Sequence, residues 1–463
     1  MSTEKAPANR LASLDQFRGY TVAGMFLVNF LGSGGFAACP FLWRHFNTFN
    51  SYADTIMPQF FFAVGFAYRL SFGRRIQAEG ARAAYWHAVK RFLGLALVAI
   101  VWYGAGMKDA AGTWQALLEK GAWEAVKNPL KNTWFQTLMH IACTSLWILP
   151  VIRAGALVRI LYMLGSAALH VGLSHWFYFH WVNGSPNGPG GIDGGNLGFL
   201  TWTIPTIVGT LACDAIVDGG GAGRVSAGKL SLLVIWSALL MALGYAFSCG
   251  TRMYDVREND AADAATDAAE NGKPEKKKHK AELADSPVVP PNEARHAWWN
   301  GLRSGDWKSV LAEPPFVPPP HSRSAEEEAA GWGKYGTKAY WLEPSPPRTH
   351  DESAKYRQHN YWMMSQRAGS ISYQTFAAGL SLAIYVLCYV LADVIGLRIG
   401  VFRTLGVNAL FGYVLHDITG DTVRHFMPKD APAWYMFAGF ALFFYLTWLI
   451  LRSLEKNRIY IKL

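Results

Sequence analysis

The stretch that decides the fold is NRLASLDQFRGYTVAGMFLVNFLGSGG, residues 9–35. Its first half is polar and charged, whereas the second half is apolar apart from Asn29. An apolar run of roughly 20 residues crosses about 30 Å of hydrocarbon as a helix. Ser13 followed three residues later by Gln16 predicts a capping box, with Asp15 in the first turn, where a carboxylate is favoured. The stretch therefore predicts a membrane-spanning helix with a capped, charged start.

The composition extends this prediction to the whole chain. Of the 463 residues, 51% are hydrophobic, and the 27 Phe, 19 Trp and 45 Gly are unusual for a soluble enzyme. The mean hydropathy is only +0.10 because one long polar segment lowers the average. The sequence predicts an all-α fold, a polytopic membrane helix bundle of about ten transmembrane helices. The apolar runs lie at 19–35, 53–71, 92–107, 134–152, 155–177, 197–217, 229–249, 370–392, 401–418 and 433–451.

The distribution of Lys and Arg predicts the orientation of these helices. With ten spans, the N-terminus, the 69–91 loop and the C-terminus share one side of the membrane, and that side holds most of the basic residues of the short loops. Short cytoplasmic loops carry an excess of Lys and Arg, so both termini are expected in the cytoplasm. The net charge of +10 follows largely from this bias. Because the charges are scattered over alternate loops, they do not indicate nucleic-acid binding.

The polar segment divides the chain into three parts. Residues 1–249 hold the first seven predicted helices, 250–369 form an insertion on the outer side, and 370–463 hold the last three helices. Within the insertion, residues 260–285 are highly charged and poor in large apolar residues, which is typical of a disordered tether. Aromatic residues follow, and either packing on the outer mouth or stacking on sugars accounts for them. These are Trp298, Trp299, Trp307, Trp332 and Trp341.

Polar residues at the ends of the first spans are the candidate functional residues. Arg18 lies at the cytoplasmic edge, where it either pairs with Asp15 or holds an anionic ligand. Asn29 lies deeper, and it serves either helix packing or function. On the outer side, His45 precedes Asp54, which opens the second span. A single loop histidine is most often merely solvated, so His45 needs further context.

That context comes from a family resemblance. RLASLDQFRGYTVAGMFLVN, residues 10–29, resembles the start of the transmembrane heparan-α-glucosaminide N-acetyltransferase family, which has the pattern R-x-x-S-[LV]-D-x-x-R-G before a helix ending in V-N. The segment from His45 to Pro58 resembles the family's H…N…A-D…P segment, and AGSISYQTF (368–376) resembles its S-[IL]-S-Y entry. LGVNALFGYVLH (405–416) resembles its G-x-N-x-x-x-x-Y-x-x-H signature. The first and last blocks are the most specific.

The resemblance implies acyl transfer across a membrane. Acetyl-CoA would be the donor on the cytoplasmic face, and an amino sugar on the outer face would be the acceptor. By the same resemblance His45 and Asn29 would be catalytic, His45 as a proton acceptor and Asn29 as a donor to the oxyanion. Arg18 and Asp15 would belong to the acetyl-CoA site. Acceptor-side residues would include Asp54 and, with structural packing as an equal alternative, Asp193, Asn408 and His416.

Other functions remain open from the sequence. Ten spans, central polar residues and a glycine-rich loop would serve a transporter or sugar-binding membrane protein just as well, although no internal repeat relates the two halves. A structural scaffold would leave Asn29 and His45 unexplained. No metal ligands occur at the usual spacing, and Cys39 and Cys249 are compatible with a disulfide or with two thiols. The expected setting is the lipid bilayer of a bacterial inner membrane, as a monomer or homodimer, with an envelope glycan as the acceptor.

Overall fold

The structure is a computed structural model that describes residues 11–45, 50–105, 129–183, 192–217, 225–249 and 364–460, with a few isolated positions between them. Throughout these ranges the secondary structure is helical, which confirms the all-α prediction for this part of the chain. The α-helices are α1 (Ala12–Leu27), α2 (Tyr52–Glu79), α3 (Ala81–Ala105), α4 (Thr137–Ile148), α5 (Ala156–Leu173), α6 (Phe179–Asn183), α7 (Phe199–Val217), α8 (Ala227–Cys249), α9 (Ile371–Tyr389), α10 (Gly400–Val407), α11 (Ala409–Arg424) and α12 (Ala433–Lys456).

Six helical segments of the described chain are long and apolar enough to cross a membrane. They indicate a multi-pass membrane protein. The other predicted spans are helical too, but α1 and α4 are short, α2 is less apolar, and α10 and α11 are separated by a break. The six segments are Ala81–Ala105, Ala156–Leu173, Gly195–Val217, Ala227–Ser248, Ile371–Ile395 and Ala433–Lys456.

Two helices extend well past the apolar runs that predicted them. The run at 53–71 belongs to a helix that continues to Glu79, and the run at 92–107 belongs to one that begins at Ala81. Apolar composition marks only the part of a helix in hydrocarbon, so charged turns beyond it escape notice. The run at 401–418 is broken at Asn408, where φ −115° and ψ 42° leave the helical region.

The predicted capping box at the start of α1 is wrong. Ser13 and Gln16 lie inside the helix, and the N-cap residue is Leu11. The backbone N–H of Ser13 instead donates to Asp393 Oδ2 at 3.2 Å, so a neighbouring segment satisfies this helix start. The Gln16 side chain bonds both the carbonyl and the N–H of Ile399. Tertiary contacts therefore replace the local cap.

Glycine residues let three pairs of helices approach closely. A Cβ atom on Gly19 of α1 would lie 1.8 Å from the Phe402 carbonyl oxygen of α10, and one on Gly65 of α2 would lie 1.9 Å from that of Thr206 in α7. Gly244 of α8 meets the backbone of α9 in the same way. Small residues allow close helix packing in membranes, where no hydrophobic effect drives association. These contacts fix the neighbours of α1, α2 and α9.

Some sequence predictions fall outside the described residues. These are the predicted tether at 260–285, the start of the glycine-rich stretch at 188–191 and the side chain of Cys249. The five tryptophans of the insertion, Trp298, Trp299, Trp307, Trp332 and Trp341, also lie outside them.

Candidate active site

A histidine–aspartate pair stands at the start of α2. His45 Nδ1 lies 2.8 Å from Asp54 Oδ1. The Asp54 side chain is 1% exposed, whereas that of His45 is 37% exposed. With Asp54 ionised, the Nδ1 hydrogen donates to it and the lone pair is on Nε2. A neutral imidazole held in this tautomer is suited to accept a proton from a substrate.

Helix capping explains why Asp54 is fixed. Ser51 is the N-cap of α2, and its backbone N–H donates to Asp54 Oδ2 at 2.8 Å. The Ser51 hydroxyl also lies 3.0 Å from that oxygen and 2.7 Å from the Arg44 carbonyl oxygen. Asp54 thus binds the helix start through one oxygen and His45 through the other. The same carboxylate therefore both stabilises the helix start and orients the histidine.

Pro58 supplies a further contact to the same turn. Proline has no N–H, so the carbonyl oxygen of Asp54, four residues earlier, lacks its helical partner. The hydroxyl group of Tyr373 in α9 donates to this oxygen at 2.5 Å. Tyr373 is fully buried, and its ring also contacts Trp202. The proline therefore creates an acceptor that joins α2 to α9 directly behind the His45–Asp54 pair.

Asp193 lies within electrostatic reach of this pair. It has a φ of 54° and is followed by Gly194 and Gly195, also at positive φ, so the chain turns sharply there. Gln366 Nε2 donates to Asp193 Oδ1 at 2.9 Å. Burial raises the pKa of Asp193 to about 6, although the hydrogen bond from Gln366 and the electrostatic interaction with His45 lower it. Two carboxylates and a histidine are thus gathered at one end of the bundle.

Asn29 and His416 form a separate pair. Asn29 lies in a π-helical turn, Val28–Gly32, and its Nδ2 is 2.8 Å from His416 Nε2. The backbone carbonyl of Asn29 accepts a hydrogen bond from Arg424 at 2.9 Å. His416 Nδ1 meets the Tyr413 carbonyl oxygen, and its Nε2 contacts both the Asn29 amide and Asp417 Oδ1, which is 3.2 Å away. The amide predicted to donate to the oxyanion therefore contacts a second histidine.

The other predicted residues lie elsewhere. Asn408 donates to the Ile459 carbonyl at 3.2 Å, just after the end of α12, whereas His416 contacts Asn29 and Tyr413. The two residues are eight positions apart, about 12 Å along a helix. Asp15 and Arg18 lie in the first turns of α1, and the Asp15 backbone packs against Gly406.

A charged cluster near the far end of α2 was missed by the sequence analysis. Arg69 Nε donates to Asp214 Oδ1 at 2.7 Å, and Arg159 bonds the other oxygen of that carboxylate. Arg159 is buried, and it also donates to the Thr210 hydroxyl at 2.7 Å. Fifteen residues separate Asp54 from Arg69, which is about 22 Å along the helix. No sequence motif marks this cluster, because its members come from α2, α5 and α7.

The arrangement places proton-accepting groups at one end of the bundle and a net positive charge at the other. Gln366 and Tyr373 were not singled out as site residues either, although Tyr373 belongs to the S-I-S-Y segment. No protein-family model matches the chain, and no curated protein matches it with significant sequence similarity.

Proposed function

We propose that the protein is a membrane acyltransferase that moves an acetyl group from acetyl-CoA to an amino sugar on the opposite side of the membrane. The observation that carries the proposal is the His45–Asp54 pair. The buried Asp54 carboxylate, which is hydrogen-bonded to the start of α2, orients an imidazole that is 37% exposed. The family resemblance of the 10–29 and 405–416 segments supports the same activity. A histidine ordered by a carboxylate is a recurrent device for activating a nucleophile.

The proposal includes a topology of ten spans with both termini in the cytoplasm. In this topology α1, α2, α4 and the broken α10–α11 helix cross the bilayer beside the six apolar segments. His45, Asp54 and Asp193 then lie on the outer side, as does the 250–369 insertion. Arg18, Arg69 and Arg159 lie toward the inner side. The excess of Lys and Arg in the inner loops supports this orientation.

Acetyl-CoA is polyanionic and cannot cross hydrocarbon, so the donor is bound from the inner side. Arg18 and the Arg69–Arg159 pair provide positive charge for its phosphates. The two arginines share one carboxylate, Asp214, so the cluster keeps a net charge of +1. The thioester arm then reaches along the bundle toward His45, and the polar interior of the helices provides the path.

The acceptor amine is bound and deprotonated at the outer end. Asp193 is mostly ionised at neutral pH, because its pKa is about 6, and it attracts the ammonium form of the acceptor. His45 Nε2 takes one proton from the bound ammonium group, and the neutral amine nitrogen then attacks the thioester carbonyl carbon. The carbon–sulfur bond breaks, the second nitrogen proton goes to the departing sulfur, and CoA leaves as the thiol. Asn29, held by His416, is the proposed donor to the oxyanion, a role typically worth about 3–4 kcal/mol.

The test uses the full-length protein in vesicles, with labelled acetyl-CoA on the inner side and amino sugars on the outer side. His45→Ala is expected to abolish acetyl transfer while CoA binding survives. Arg18→Ala is expected to weaken CoA binding about tenfold or more, the loss of one charge-assisted contact. His425→Ala is the matched control, because His425 is exposed at the end of α11. It should leave both measurements unchanged.

One result would overturn the proposal in favour of a transporter. It is the absence of acetylated product with any amino sugar, together with acceptor uptake that His45→Ala leaves unchanged. Expression and monodispersity of each variant are measured first, so that a misfolded Arg18→Ala protein is not mistaken for a binding defect.

A further inference from the structure

One face of α3 points away from the rest of the protein. Leu93, Leu97 and Val101 are 50%, 64% and 71% exposed on this face. The opposite face is buried against α2 and α4 through Ala84, Ala88, Phe92, Leu95 and Ala99. In a membrane-spanning helix, an exposed apolar face of this kind contacts lipid tails.

Toward the start of α3, the residues on the same face become charged and aromatic. Arg82, Trp86 and Lys90 follow one another at intervals of four residues, so they lie in one row on the helix surface. All three are exposed, Trp86 by 60%. We call these three residues the cationic row. It continues the line of exposed apolar residues without a break.

The length of α3 places the cationic row at the membrane surface. The helix runs from Ala81 to Ala105, which is 25 residues. About 20 residues are enough to cross the hydrocarbon, so counting back from Ala105 brings the boundary near Trp86. Tryptophan is enriched at this depth, and Lys and Arg extend their charged ends toward the phosphate layer.

Two side chains of the cationic row interact directly. Lys90 Nζ lies 5.8 Å from the centre of the Trp86 ring, a cation–π distance. Arg82 stands one turn beyond Trp86 on the same row. A phosphate next to the indole would meet two cations, while the acyl chains of the same molecule lie along Leu93, Leu97 and Val101. An anionic phospholipid has this combination of charge and apolar length.

We propose that the cationic row of α3 is a binding site for the headgroup of an anionic phospholipid. The site is independent of the proposed acyltransferase activity, because it lies on the lipid-facing surface of one helix. Phosphatidylcholine also carries a phosphate, but its quaternary ammonium group opposes binding to two cations. Charge complementarity therefore selects phosphatidylglycerol over phosphatidylcholine.

The experiment measures lipid binding to the purified full-length protein by native mass spectrometry. Phosphatidylglycerol and phosphatidylcholine are titrated separately into detergent solution. The wild type is expected to bind its first phosphatidylglycerol molecule more tightly than its first phosphatidylcholine molecule. The double variant Arg82→Gln/Lys90→Gln is expected to lose about thirtyfold in this affinity, from about 1 kcal/mol for each cation. Trp86→Leu, which keeps an apolar side chain, is expected to lose about two- to fivefold.

Lys229→Gln is the matched control. Lys229, in the first turn of the apolar helix α8, is exposed like Lys90, but the residue four positions before it is Val225, whereas Trp86 lies four positions before Lys90. Equal weakening by Lys229→Gln would contradict the site, since any basic residue would then serve. Unchanged affinity of the double variant, or equal affinity of the wild type for the two lipids, would also contradict it. Displacement of phosphatidylglycerol by excess CoA would assign the row to the acyl donor instead.

Discussion

Asp54 shows how one side chain serves both folding and the proposed chemistry. Its carboxylate accepts the N–H of Ser51 at the start of α2, and its other oxygen faces His45. The backbone of the same residue, released by Pro58, accepts the hydroxyl of Tyr373. Because the two oxygens of Asp54 have different partners, one carboxylate stabilises the helix start and holds His45 in the tautomer that a base requires.

Asp193 is predicted to make stability depend on pH. Its pKa is about 6 in the folded protein against 3.8 for the free side chain. Between these values the folded state holds a proton that the unfolded state has lost, so the free energy of unfolding falls as the pH rises. Asp193→Asn removes this penalty, and asparagine tolerates the positive φ at this position. At pH 8 we expect the free energy of unfolding of the variant to exceed that of the wild type by about 2–3 kcal/mol. The variant should therefore melt at a higher temperature.

The difference should disappear near pH 3, below both pKa values, where Asp193 is protonated in the folded and the unfolded state. Thermal melting in detergent at the two pH values measures this. Asp430→Asn is the control, because Asp430 is exposed in the loop between α11 and α12 and should show no such dependence. An equal shift of the Asp193→Asn melting temperature at both pH values would rule out the burial of a charge as its cause.

At the scale of helices, close packing at glycine decides which elements are neighbours. Gly19 and Gly406 lie where α1 and α10 touch backbone to backbone. A Cβ atom at Gly406 would lie 2.2 Å from the Asp15 carbonyl oxygen, and backbone cannot yield as a flexible side chain does. Because Arg18 is one residue from Gly19, the same contact positions the start of α1 as a whole.

Gly406→Ala is therefore expected to destabilise the protein by about 1–3 kcal/mol, the usual cost of overpacking. Gly94→Ala in α3 is the matched control, since no atom lies within 4 Å of the new Cβ. That substitution should be neutral or stabilising, as alanine favours helix more than glycine does. Chemical or thermal unfolding in detergent compares the two. A Gly406→Ala protein as stable as Gly94→Ala would show that α1 and α10 are not packed as described.

For the whole molecule, the proposed topology predicts which loops face which compartment. Gln77, in the last turn of α2, is expected on the cytoplasmic side, and Lys429, between α11 and α12, on the outer side. Both positions are exposed. Single cysteines placed there in a background without the five native cysteines should react with an impermeant reagent in oppositely oriented vesicles. Labelling of both from the same side would contradict the ten-span arrangement, whatever the catalytic activity.

Local composition determined the helical fold and most of its elements. Apolar runs predicted the six segments of membrane-spanning length, because a bilayer imposes one minimum length on every crossing helix. The ends of α2 and α3 were not predictable in this way, since helices continue into the headgroup region with charged residues. Asp54 was noted because it opens an apolar run, whereas His45 and Asp193 became candidates through the family resemblance of short segments of the sequence.

Only the tertiary structure decided which of these candidates meet. His45 pairs with Asp54, nine residues away, whereas Asn29 pairs with His416, 387 residues away. The distant pair depends on the close approach of helices, and the glycines that permit it carry no sign of their partner in the sequence. The Ser13–Gln16 cap failed for the same reason, because Asp393 and Ile399 satisfy those groups from another part of the chain. Hydrogen-bonding groups excluded from water take whichever partner the packing supplies, so long-range pairs are set by the assembled fold.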